Sequence, residues 1–201
     1  MLKILLSFLL FLSMISCGNG KTVPEMGDIV FQTSTSSQSA AIEEASNSKY
    51  THTGIIIMQN NKPVVLEAGN RVRFTDFNSW ISSGKGKNYR IKRLKNSGKI
   101  LTSQVQLEMF KVINNYLGKG YDSRFEWSDD ALYCSELVWK VFSIGADVQL
   151  CPLKKFDDYN LDGKLMKDLI SKRYGGIINK NEKAVAPVDI FNSDLLYDIK
   201  Y

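Results

Sequence analysis

Tyr50-Thr51-His52-Thr53-Gly54-Ile55-Ile56-Ile57-Met58 and Pro63-Val64-Val65-Leu66-Glu67-Ala68 are two strand-like runs separated by Gln59-Asn60-Asn61-Lys62. Asparagine tolerates the left-handed backbone that tight hairpin turns require, so the stretch predicts an antiparallel β-hairpin. Closing the hairpin about Asn60-Asn61 sets His52, at the start of the first strand, opposite residues 67–69 at the end of the second. Val65 and Glu67 then share one face. A carboxylate on an apolar face needs a partner, and His52, the chain's single histidine, would supply it. A Glu on a simply wet face fits the same residues equally well.

Outward from the hairpin, Gly27-Asp28-Ile29-Val30-Phe31-Gln32 reads as a turn and a strand. Thr33 to Ser39 is polar and offers N-caps for a helix over Ala40–Ala45. Arg71–Phe74 is a further strand, and Phe77–Ile81 a short helix ended by Gly84-Lys85-Gly86. Tyr89–Leu94 alternates as a strand with one wet face and reads as a solvated edge. Leu101–Leu117 carries an apolar stripe through Val105, Met109, Val112, Ile113 and Tyr116 and predicts a long helix. Asp129-Asp130 are candidate caps for a second helix over Ala131–Ser143. Residues 145–160 read as irregular, and Leu161–Tyr174 as a third long helix. There is no internal repeat and no linker. The expected class is α+β, a small, mostly antiparallel sheet packed against helices in one domain over residues 26–201.

The chain has 201 residues, 44% hydrophobic and 23% charged, with a formal charge of +5. That balance excludes collagen, coiled coil, low-complexity disorder and a small disulfide scaffold. The only long apolar run is Ile4–Ile15, short of the ~20 residues a membrane span needs. With Lys3 before it and Ser16-Cys17 after it, residues 1–16 read as a signal peptide and 17–25 as a tether. Met14-Ile15-Ser16-Cys17 resembles a bacterial lipobox, which implies lipidation of Cys17. A plain secretory signal is the alternative. Either way the expectation is an exported protein; the lipobox makes it a membrane-anchored lipoprotein of the bacterial cell envelope, held by its lipid. Losing Lys3 leaves 25 basic against 21 acidic residues, a charge of +4. The basic residues are scattered, and no nucleic-acid partner is expected.

Cys134 stands in Leu132-Tyr133-Cys134-Ser135-Glu136-Leu137-Val138-Trp139, near a helix start, where amides and the helix dipole favour an anion. It is one of three cysteines, with Cys17 and Cys151. A buried apolar thiol, or a Cys134–Cys151 disulfide, is the bland alternative. One histidine and two cysteines do not make a usual zinc set, so no metal is expected. A cysteine at a helix start, a sole histidine and a carboxylate across a hairpin from it are the parts of an activated nucleophile: thiol, base and orienting group.

The sequence resembles the YiiX/YebB-like permuted papain-like amidases, a branch of the NlpC-type cysteine hydrolases. The resemblance rests on Gly27–Gln32, Tyr50–Ile55, Val65–Ala68, Tyr121-Asp122, Tyr133–Val138 and Pro187–Leu196, from about residue 26 to 197. The Tyr-Cys-Ser-Glu-Leu-Val block is the most specific, and His52 precedes Cys134 as the permuted branch requires. Thr53 departs from the valine familiar at that place. The resemblance implies a permuted papain-like fold, Cys134 as nucleophile, His52 as base, Glu67 as orienting residue and a substrate-site role for Tyr121, with no cofactor. The implied substrate is an amide of a cell-wall peptide or an amino acid. Lipid acyl hydrolysis or transfer is a second possibility, and a non-catalytic peptide- or lipid-binding envelope lipoprotein a third. Pocket walls are expected from loops near Ser34–Ser39, Phe77–Lys87 and Leu150–Asp162.

Overall fold

A computed structural model describes residues 23–201. The expected signal peptide 1–16, most of the expected tether and Cys17 lie outside the described residues. In chain order the elements are β1 (Ile29–Ser34), α1 (Ser39–Ser46), β2 (His52–Gln59), β3 (Lys62–Ala68), β4 (Val72–Asp76), α2 (Phe77–Ser83) and β5 (Gly84–Leu94). Then come α3 (Ser97–Ile100), α4 (Ser103–Tyr116), β6 (Gly120–Tyr121), β7 (Ala131–Leu132), α5 (Cys134–Gly145) and β8 (Lys154–Lys155). The chain closes with α6 (Lys164–Tyr174), β9 (Lys183–Ala184), α7 (Pro187–Phe191) and β10 (Leu196–Ile199).

Six strands form an antiparallel sheet in the order β10-β5-β1-β2-β3-β4. The β2–β3 hairpin turns on Asn60 and Asn61, at φ 49° and 61°. Its register pairs Ile55 with Leu66 and Gln59 with Lys62. Both sheet faces are covered there, which is why Ile55-Ile56-Ile57 is uninterruptedly apolar. Ile55, Ile57 and Leu66 pack in the main core with Leu137, Val138 and Phe142 of α5. Ile56 and Val65 pack on the other face, against Phe77 and Trp80 of α2. Gly54 allows β2 and β3 to approach: a Cβ there would lie 2.5 Å from Val65 Cγ1 and 2.7 Å from the Leu66 carbonyl oxygen. The helices α4 and α5 are equally close at Gly145, where a Cβ would lie 2.6 Å from Met109 Cα.

The α+β class holds, and several local expectations are corrected. Gly84 caps α2 as expected, but Gly84-Lys85-Gly86 also opens β5, which lies between β10 and β1 instead of forming a wet edge. Arg93 is buried because its Nε and Nη2 donate to Asp28 Oδ1 and Oδ2 at 2.7 and 2.8 Å. A charge that brings its own counter-charge inside is invisible to alternation. The second long helix begins at Cys134, three residues later than expected, because Ala131–Leu132 pairs in parallel with Gly120–Tyr121. Asp129 is therefore no cap; it receives Tyr116 Oη and Lys140 Nζ at 3.0 and 2.7 Å. The third long helix likewise starts late, at Lys164. Cys134 and Cys151 are both buried free thiols, so the disulfide alternative does not hold.

Candidate active site

The first residue of α5 is Cys134, preceded by Tyr133 in extended conformation as N-cap. Strand pairing sets that abrupt start. Residues 131–132 are engaged in a ladder with 120–121, so the helix begins only after Tyr133. The start is fastened from the far side: Ser135 Oγ donates to the Val185 carbonyl at 2.6 Å, and Val185 N–H donates to Tyr133 Oη at 3.2 Å. Glu136 Oε2 accepts from the Tyr133 N–H at 3.4 Å, one half of a capping box. The first-turn N–H groups of a helix have no acceptor within it, and Cys134 is the first residue of that turn.

His52 opens β2, where it pairs with Gln32 of β1. Its ring stacks on Trp80 at 5.7 Å between centroids. Nε2 donates to Glu67 Oε2 at 2.7 Å. The other carboxylate oxygen, Oε1, accepts from Thr75 Oγ1 at 2.6 Å and from Arg73 Nε and Nη2 at 3.2 and 3.1 Å. Glu67 is thus buried with both oxygens occupied. Burial pushes against its charge, but His52, Thr75 and Arg73 hold its carboxyl down at about 2. Burial likewise disfavours the His52 imidazolium. Hydrogen bonding and charge from Cys134 and from Glu67 outweigh it and raise His52 to about 10. Since Glu67 occupies Nε2, the ring nitrogen left for a further partner is Nδ1.

Tyr121 sits beside Leu132 in the β6–β7 ladder, two residues from Cys134. Burial and the neighbouring Cys134 raise its phenol well above the ordinary range, against the effect of a hydrogen bond from Gln38. Gln38 Nε2 donates to Tyr121 Oη at 2.6 Å, and Gln38 Oε1 accepts from Arg173 Nη2 at 2.6 Å.

Two grooves meet at this point, with Thr51 and Tyr121 lining both. Cys134 lies in the first, whose walls include Phe125, Tyr133, Phe156, Met166 and Val185. His52 and Glu67 lie in the second, with Arg73, Gln38 and Arg173. The 34–39 loop supplies polar wall and Phe156 and Tyr159 supply apolar wall, as expected. The 77–87 stretch contributes little beyond Ser83, because Phe77 and Trp80 are buried under the sheet.

All four expected domain residues, His52, Glu67, Tyr121 and Cys134, converge. Arg73, Thr75, Gln38 and Arg173 were not foreseen. The alternation of β4 places Arg73 and Thr75 on the Glu67 face, since Arg73 pairs with Glu67 and Thr75 with Val65. That signal was present. Gln38 and Arg173 are 135 residues apart and carried none. Among the described residues no group of three or more His, Cys, Asp or Glu side chains gathers as a metal site.

Known proteins are similar to this chain over most of its length. The profile of the permuted papain-like amidase enzymes, YaeF/YiiX, C92 family, matches residues 23–200. The uncharacterized protein YiiX of Escherichia coli (strain K12) is 36% identical over 173 residues, which is 86% of this chain and 84% of that protein. A crystal structure described as metalloprotein yiiX from Escherichia coli O157:H7 superposes with a TM-score of 0.83 at 37% identity, covering 89% of this chain and 98% of that one.

Proposed function

The chain belongs to the permuted papain-like amidase family, and from that premise we propose a cysteine amidase in which Cys134, His52 and Glu67 act as nucleophile, base and orienting carboxylate. What carries the reading is the 2.7 Å pairing of His52 Nε2 with Glu67, together with the effect of Cys134, at the start of α5, which favours the charged form of the same imidazole.

The Cys134 thiolate attacks the amide carbonyl carbon and forms a C–S bond. The charge passes to the carbonyl oxygen, which the amides at the start of α5 and the Tyr121 hydroxyl receive as hydrogen-bond donors. The tetrahedral intermediate collapses as the imidazolium gives its proton to the departing amine, leaving a thioester. Water then attacks the thioester with His52 taking its proton, and the acid and the free thiol are released. Glu67 fixes the tautomer and the plane of the ring throughout. No part of this sequence calls on a metal or organic cofactor.

The two grooves divide the substrate. The acyl part lies against Phe125, Phe156 and Met166 beside Cys134; the amine part lies in the polar groove beside His52. The N-terminal pattern supports an envelope location with Cys17 lipidated, and membership of an amidase family supports an amide of a peptide or amino acid as substrate. The apolar wall beside Cys134 favours one second reading, a lipid acyl hydrolase or transferase working through the same thioester.

The test is hydrolysis of a panel of amino-acid and N-acyl amino-acid p-nitroanilides by the purified protein. The reading expects turnover lost by at least ~10³-fold in Cys134→Ala. Turnover that survives this substitution would exclude it.

A further inference from the structure

Gln38 and Arg173 form a chain of hydrogen bonds whose direction is set by chemistry alone. A guanidinium can only donate. Arg173 Nη2 therefore points a hydrogen at Gln38, and the amide oxygen of Gln38 must face it, at 2.6 Å. The amide nitrogen is then turned to Tyr121 Oη, also at 2.6 Å, and donates to it. A phenol oxygen that accepts at this position keeps its own proton free for another acceptor. Arg173 is held in turn by donating Nη1 to the Ser123 carbonyl at 2.5 Å and by lying over the Phe125 ring at 5.5 Å. Three distant parts of the chain are joined: the loop before α1, the segment after β6 and the last turn of α6.

We propose that Arg173 and Gln38 are positioning residues which orient the Tyr121 hydroxyl as a proton donor toward the groove that holds Cys134. The inference rests on the cysteine-amidase reading and adds to it the groups that give one of its oxyanion donors a direction. The high pKa of Tyr121 suits the part, since the phenol stays protonated.

The decisive variant is Gln38→Glu. A carboxylate of the same shape still accepts from Arg173, so the bridge between loop and helix is kept. It can no longer donate to Tyr121, and instead takes the phenol proton for itself. The probe is p-nitrophenyl butyrate, whose attack by Cys134 passes through an oxyanion and releases a burst of p-nitrophenolate. Iodoacetamide, which alkylates the same sulfur by direct displacement with no oxyanion, is the comparison. The proposal expects Q38E to slow the burst by roughly 10- to 100-fold with the concentration for half-maximal rate little changed. Alkylation should stay within about twofold of the wild type. In a Tyr121→Phe background Q38E should lower the burst by less than about twofold, because the donor it redirects is gone. A burst unchanged in Q38E, or slowed equally with alkylation, would overturn the proposal while leaving Cys134 as nucleophile. A wild-type protein with no burst dependent on Cys134 would overturn the amidase reading and this inference together.

Discussion

Thr75 donates its hydroxyl to Glu67 Oε1 at 2.6 Å, on the oxygen that His52 does not use. The orienting carboxylate is therefore itself oriented, by the neighbouring strand β4. Thr75→Val keeps the β-branched shape and removes one hydrogen bond, while Arg73 still engages the same oxygen. The expected outcome is a loss of about 1 kcal/mol in stability and a few-fold drop in Cys134 alkylation at neutral pH. Denaturant melts and an iodoacetamide time course check it. An alkylation rate equal to that of the wild type would separate Thr75 from the site.

The His52–Glu67 pair predicts a window of pH for its contribution to stability. Glu67 is held down at about 2, so its contribution is present above its ordinary value near 4.5 and is lost as pH falls toward 2. His52 is raised to about 10, so its contribution is complete below its ordinary value near 6.5 and is lost as pH rises toward 10. The two overlap fully between about pH 4.5 and 6.5. Glu67→Gln should cost about 3 kcal/mol there, and less at pH 3 and at pH 9. Urea denaturation of wild type and variant at three pH values measures this. A difference that does not vary with pH would refute the pairing.

Gly54 carries a packing prediction. The Leu66 carbonyl that its Cβ would meet belongs to the β3 ladder and cannot rotate away. Gly54→Ala should destabilise by about 1–3 kcal/mol. It should also slow Cys134 alkylation, since β2 and β3 carry His52 and Glu67. Thermal melts and alkylation at one temperature test both; a variant of native stability would contradict the close approach.

Much of the fold and site was legible because it rests on short-range patterns. The hairpin announced itself through Asn60-Asn61 and through two apolar runs of matching length, and it brought His52 near Glu67 before any tertiary contact was considered. The start of α5 is not legible locally, because Ala131-Leu132 looks equally at home in a helix. Only its pairing with Gly120-Tyr121, distant in sequence, makes it a strand. The burial of Arg93 is hidden for a related reason: its counter-charge, Asp28, lies on a segment 65 residues away. The Gln38–Arg173 bridge is the extreme case, a contact between two ordinary polar residues that no local pattern marks.

The account depends most on Cys134 and His52 acting as one unit, and alkylation of Cys134 against pH tests that directly. Cys151 will not interfere, because burial pushes its thiol up to about 12. Wild-type protein and His52→Ala are treated with iodoacetamide from pH 5 to 10, with Cys134→Ser as the blank. The account predicts rapid alkylation already at pH 6 in the wild type. In the variant the rate at pH 6 should fall by about tenfold or more and recover only as pH approaches the ~8.5 of an ordinary thiol. Superimposable profiles would contradict the Cys134–His52 pair and with it the catalytic role of the site.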